Sequence, residues 1–150
     1  MLDALGTLDV QALVTTGWGL GRDELGPLPA NVAVEAYVPQ AQVLPHTDLV
    51  VCHGGSGTML AALAAGVPVV SLPQGADQFV NAPWWARSGA VAVLQPAEVD
   101  PASLAACISA TLADADRRAA ARAVAEEIAA MPPPSELADR LLDGSAWLAR

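Results

Sequence analysis

Basic residues are scarce in this chain of 150 residues: Lys and Arg together number 7 against 16 Asp and Glu, a formal balance of −9. No run of them occurs anywhere, which argues against a nucleic-acid surface. Long apolar runs are lacking too, because polar, Gly or Pro positions interrupt each one before the roughly 18 residues that a membrane span needs. The N-terminal stretch MLDALGTLDV has no basic region followed by an apolar block, so it does not read as an export signal and the expected location is cytoplasmic. Only two cysteines occur, Cys52 and Cys107, far apart and at no metal-ligand spacing. They are expected as buried, reduced thiols. No internal repeat is found.

What is present points to one globular α/β domain. A hydrophobic fraction of 53% is enough to build a core. Apolar runs alternate with helical segments across short Gly/Pro punctuation, the pattern of βαβ units and a parallel sheet. ALVTTG (12–17) and VAVEAYV (32–38) read as strands on either side of a Gly/Pro-rich loop. LVVC (49–52), VPVVSL (67–72) and AVAVL (90–94) read as further strands, the first two nearly continuous in apolar residues, as strands buried on both faces are. Helices are expected at 57–65, stopped by Gly66, and at 78–88, stopped by Gly89. After Pro101 the pattern is helix alone, through SLAACISATLADADRRAAARAVAEEIAAM, a proline triplet at 132–134 and ELADRLLDGSAWLAR.

The stretch VVCHGGSGTMLAALAAG sets a glycine cluster between a strand and a helix. Such a turn leaves the first amides of the helix without intrahelical acceptors, and with the helix dipole they form an anion site. Glycine permits close approach to the main chain, and Ser56 and Thr58 add hydroxyl donors. The spacing is neither that of a P-loop, since no Gly-Lys-Ser/Thr follows, nor the GxGxxG of a dinucleotide turn. From the residues alone the turn serves either packing or phosphate binding. His53, taken alone, reads as a core histidine in preference to a phosphate donor.

YVPQAQVLPHTDLVVCHGGSGT followed by GVPVVSLPQGADQFVNA resembles the donor-sugar signature of nucleotide-sugar glycosyltransferases of the UDP-glycosyltransferase type, particularly the actinobacterial antibiotic and macrolide enzymes. The resemblance extends over essentially the whole chain, including EIAAMPPPSELADRLL. It implies the Rossmann-like C-terminal, donor-binding half of a two-domain GT-B glycosyltransferase. In the family this domain has strand order 3-2-1-4-5-6. ALVTTG matches the second strand of that order, so Met1 is expected within the first helix and one strand is expected to be absent between ALVTTG and LVVC. The halves of the sheet are then expected to pair directly or stay apart, and the isolated chain to be poorly stable and inactive.

The resemblance also implies roles. Tyr37 stands where the family places an aromatic ring on the nucleobase, the alternative being a strand-end aromatic at the rim. Val38 meets the base through its backbone, and Gln40 lies near the nucleoside. His53 donates to the diphosphate, cradled by Gly55, Ser56, Gly57 and Thr58. Asp77 and Gln78 bond the sugar hydroxyls, the alternative being a helix cap and first-turn residue. His46 reads as surface, and Trp84 and Trp85 as packing a helix on the sheet. Where many UDP-sugar enzymes carry a ribose-binding glutamate, this sequence has Ala61, which suits a dTDP-deoxysugar.

The implied reaction is inverting transfer of the sugar to a small acceptor hydroxyl, such as that of a polyketide aglycone, without metal or cofactor. The general base is expected in an N-terminal domain outside these residues, leaving His53 to stabilise the leaving group. Two other readings stand beside it: a nucleotide-sugar-binding fragment without turnover, and a cell-wall N-acetylglucosaminyl transferase or sugar-nucleotide epimerase of related fold. Ala61 argues against the latter pair, which want a carboxylate for ribose.

Overall fold

The computed structural model describes residues 1–142. Valine-rich runs, whose branched side chains favour extended backbone, become five short strands. These are β1 (Ala12–Thr15), β2 (Val32–Glu35), β3 (Val50–Cys52), β4 (Val69–Ser71) and β5 (Val91–Val93). Each is shorter than its apolar run, because the ladder stops where a neighbour ends; past β1 only Thr16 N–H still donates, to Glu35 O at 3.1 Å.

Seven helices intervene or follow among the described residues: α1 (Leu2–Leu5), α2 (Gln40–Val43), α3 (Ser56–Ala64), α4 (Gln78–Arg87), α5 (Pro101–Ala113), α6 (Ala115–Ala129) and α7 (Pro134–Leu142). The chain leaves α3 and α4 through Gly66 and Gly89, whose φ of 72° and 75° suits glycine. The helical stretch after Ser103 is divided at Asp114. That carboxylate accepts from Arg117 N–H at 2.9 Å and starts α6 as a new helix. Beyond Leu142 the expected C-terminal helix lies outside the described residues. No described helix is long and apolar enough to cross a membrane.

The strands form two parallel sheets, β1-β2 and β3-β4-β5, with no ladder joining them. Of the two arrangements expected for a sheet without its central strand, the halves staying apart is the one observed. Both sheets nevertheless bury side chains in one core. Ala4 and Leu5 of α1, with Leu104 and Ile108 of α5, cover Val32 and Val70, and Val14, Val34 and Val51 pack against the same cluster. The opposite face of the three-stranded sheet carries Met59, Ala62 and Leu63 of α3 and Ala121 of α6 over Val69 and Val91. Burial of each such Met, Leu or Val side chain contributes about 1.5–3 kcal/mol. The Asn31 carboxamide ties α1 to the small sheet, donating to Leu5 O, Leu8 O and Val10 O at 2.9, 3.2 and 3.0 Å.

Two sequence expectations need correction. Trp85 packs against the α3 side of the sheet, but Trp84 is 65% exposed, with the Arg87 guanidinium 5.0 Å above its ring, because the two neighbours point to different faces of α4. Cys52 and Cys107 are free, as expected, but half-buried rather than buried. His46 is exposed, in line with its reading as surface.

Candidate functional site

The strand β3 leads directly into a tight glycine turn. The chain reverses at Gly54 with φ of 86°, its N–H donating to Cys52 Sγ at 3.4 Å. A Cβ at Gly54 would stand 2.6 Å from Ser71 Oγ, a fully buried hydroxyl at the end of β4 with no partner among the described residues. Glycine is therefore required there by conformation and by space. Burial pushes the Cys52 thiol up from its ordinary value, and the Gly54 N–H opposes that more weakly. Cys52 is thus a neutral acceptor under the turn.

Beyond the turn, α3 starts at Ser56 with Gly55 as its N-cap residue and no side-chain cap. The first bond back into the helix is Met59 N–H to Gly55 O at 3.1 Å, so the amides of Ser56, Gly57 and Thr58 have no acceptor among the described residues. The two longest described helices, α5 and α6, differ, whereas α4 also starts without a side-chain cap. Asp100 caps α5, accepting from Ala102 N–H and Ser103 N–H at 2.8 Å each, and Asp114 caps α6. A Cβ on Gly57 would meet nothing within 4 Å, so space lies open beside the free amides. His53 folds back over the turn: its Nε2 lies 2.6 Å from where a Gly55 Cβ would be. The imidazole can lie there only against glycine.

Two more segments converge on this turn. From α2, Gln40 Nε2 donates to Thr58 Oγ1 at 3.1 Å, joining the end of the two-stranded sheet to the first turn of α3. Just before α2, the Val38 main chain has no partner among the described residues, and Tyr37 is 63% exposed. After β4, the turn Gln74–Asp77 is closed by Gln78, whose Oε1 accepts from Gln74 N–H and Gly75 N–H at 2.8 and 3.1 Å. That leaves the Gln78 amide nitrogen free of the turn. Asp77 does not cap α4; its Oδ2 accepts from Asn81 Nδ2 at 2.7 Å and is presented at the surface. Ala76 adopts φ of 52° to make this turn, a conformation costly for a residue with a Cβ.

Val38, Gln40, His53, the Gly55–Thr58 turn and Asp77–Gln78 thus follow the carboxyl ends of β2, β3 and β4, where parallel sheets bind their ligands. Residues 1–143 match the domain family described as erythromycin biosynthesis protein CIII-like, C-terminal domain. The chain belongs to this family.

Named relatives of this CIII-like domain are glycosyltransferases. The elloramycin glycosyltransferase of Streptomyces olivaceus is 42% identical over 133 residues, covering 89% of this chain and 33% of the relative. A PGL/p-HBAD biosynthesis glycosyltransferase of Mycobacterium tuberculosis is 37% identical over 146 residues, covering 95% of this chain and 33% of the relative. The chain therefore spans about a third of the length of these relatives. Among solved structures, the spinosyn rhamnosyltransferase SpnG complexed with thymidine diphosphate superposes with a TM-score of 0.84 at 35% identity, over 93% of this chain and 38% of that one. The fold is that of the C-terminal domain of GT-B glycosyltransferases.

Two residues beside the candidate ones are not evident from the sequence. Trp18, in the Gly-rich loop after β1, stacks on Tyr37 with ring centroids 6.1 Å apart and planes 17° from parallel. Ser71, under the glycine turn, reads in the sequence only as the end of a strand. A lone aromatic flanked by glycines, at 17 and 19, is the one available signal for the first.

Proposed function

We propose that this chain is the donor-binding part of an inverting, metal-independent glycosyltransferase that moves a sugar from a nucleoside diphosphate to a hydroxyl of a small natural-product acceptor. One observation carries the reading: α3 begins uncapped, with the amides of Ser56, Gly57 and Thr58 free and open space beside Gly57. Amides and a helix dipole at that point match a diphosphate, and His53 over Gly55 adds an N–H donor. The chain has no lysine, so the anion would be held mainly by neutral donors and dipoles.

In this reading Tyr37 stacks on the base, the free Val38 main chain bonds the base edge, and Gln40 orients Thr58 toward the phosphates. Asp77 and the amide nitrogen of Gln78 bond the sugar hydroxyls. The acceptor oxygen attacks the anomeric carbon from the face opposite the diphosphate. A new C–O bond forms as the bond to the phosphate oxygen breaks, the electron pair leaves with the diphosphate, and a general base outside these residues takes the acceptor proton. The amides of α3 and His53 stabilise charge that grows on the leaving oxygen, so they act more strongly in the transition state than in the ground state.

The relatives' names support a natural-product acceptor, and the SpnG complex supports a thymidine donor, as does Ala61, which offers no carboxylate to a ribose 2′-hydroxyl. Calorimetric titration with dTDP and UDP tests the donor. The expected result is binding of dTDP more tightly than UDP, with His53→Ala weakening dTDP about 10- to 150-fold, the worth of one charge-assisted hydrogen bond. Equal affinity of that variant would remove His53 from the site.

A further inference from the structure

We infer that Trp18 is a positioning residue for nucleobase recognition: it holds the Tyr37 ring from one face, so that the opposite face is presented to the base. The inference rests on the donor-binding reading and adds to it a residue from a different loop.

Register places the two rings together. β1 and β2 are parallel neighbours with Thr15 paired to Glu35, so Trp18 and Tyr37 lie three and two residues past the last rung, at the same end of the small sheet. There the rings stack, 6.1 Å between centroids and 17° from parallel. Neither ring serves the core, since Trp18 is 87% exposed and both stand outside the two clusters of buried residues. A side chain of that size left in water by its own fold has little packing purpose.

The loop that carries Trp18 has a turn of its own. Gly17 turns with φ of 72°, and Thr16 Oγ1 donates to Leu20 O at 3.0 Å across the turn. Tyr37, by contrast, lies in an irregular stretch between β2 and α2, and its only ring contact among the described residues is Trp18. A stacking ring free to rotate must be ordered when ligand binds, at a cost in affinity; one already held by a neighbour is not. The near-parallel, offset stack lies along one side of the tyrosine ring and leaves the opposite face open. Aromatic stacking on a base tolerates any pyrimidine, so this device sets affinity and ring orientation rather than base identity.

The test is a double-mutant cycle on the full chain, with dTDP as probe and affinity read by calorimetry. Trp18→Ala is expected to weaken dTDP about 3- to 10-fold with an unchanged melting temperature, and Trp18→Phe to restore affinity to within about twofold. Because Trp18 acts through Tyr37, Trp18→Ala is expected to cost nothing further once Tyr37→Ala is in place. A readout without ligand accompanies it: the upfield ring-current shift of the Tyr37 ring protons is expected to vanish in Trp18→Ala and persist in Trp18→Phe. Losses that simply add in the double variant, or dTDP affinity unmoved by Trp18→Ala in a chain that binds it, would overturn the inference while leaving the donor site standing. Absence of dTDP binding by the unaltered chain would remove the donor-binding reading and this inference with it.

Discussion

At the scale of single residues the glycine turn supplies the sharpest tests, because its glycines are glycine for different reasons. Gly54 is held at φ of 86° with Ser71 Oγ where a Cβ would go, so Gly54→Ala is expected to destabilise the fold by about 1–3 kcal/mol in chemical denaturation. Ser71→Ala removes an unpartnered buried hydroxyl and is expected to be neutral or stabilising, and to recover part of the Gly54→Ala loss in the double variant. Gly57 faces open space in the first turn of α3, so Gly57→Ala should leave stability unchanged or raise it by up to about 1 kcal/mol. If phosphate seats on those amides, the same methyl group lowers dTDP affinity. Stability and binding moving in opposite directions is an outcome that a purely structural turn would not give. The turn was legible in the sequence because glycine after a buried strand has few other uses. Trp18 and the left-handed Ala76 were not, since a loop aromatic has no periodicity to reveal its neighbour and an alanine carries no mark of positive φ.

At the scale of elements, composition located every strand but not its ends. Valine runs mark extended, buried backbone, whereas a ladder ends where the neighbouring strand ends, a property of two segments at once. The same limit hid the break at Asp114, because Ala-rich sequence on both sides is equally helical and only the carboxylate over the Arg117 amide separates α5 from α6. Both Asp100 and Asp114 have carboxyl pKa values below the usual range, Asp100 first through the Ser103 N–H and Asp114 first through the Arg117 N–H. A carboxylate whose folded pKa is lowered contributes stability that is present above its unfolded pKa and lost as pH falls through the folded one. Melting temperature is therefore expected to fall from about pH 4 downward, and less steeply in Asp100→Asn, which keeps a capping oxygen without the titration. On the other face of the sheet Leu63 is almost fully buried between α3 and its strands, so Leu63→Ala is expected to cost about 2–5 kcal/mol and to loosen the helix whose amides form the site.

At the scale of the whole molecule, the division into two sheets is the feature that matters most for stability. Ala12 N–H donates to Asn31 O and Thr16 N–H to Glu35 O, which turns the main-chain groups of Leu13 and Thr15 away from β2. Val50 N–H donates to Pro68 O and Leu72 N–H to Cys52 O, which turns Val51 away from β4 in the same manner. Side chains of α1 and α5 bridge the two sheets, but no ladder does. Hydrogen exchange should therefore find the Leu13, Thr15 and Val51 amides far less protected than that of Val70 in the middle of β4, and protection of Val51 comparable to Val70 would show that the halves are paired in solution. The sheet order was legible only through the family resemblance, because nothing in the apolar runs says which strands are neighbours. Convergence of α2, α3 and the turn before α4 was legible for the same reason, and the Gln40–Thr58 bond is its physical expression.

The central claim is that the first amides of α3 grip a diphosphate. The most direct measurement is a titration of the isotope-labelled chain with dTDP, following every backbone amide by NMR. The Gly55, Ser56, Gly57 and Thr58 signals are expected to move furthest and saturate together, with Gly57→Ala shifting the saturation to higher dTDP concentration. Saturable binding that leaves those signals still while others shift would contradict it.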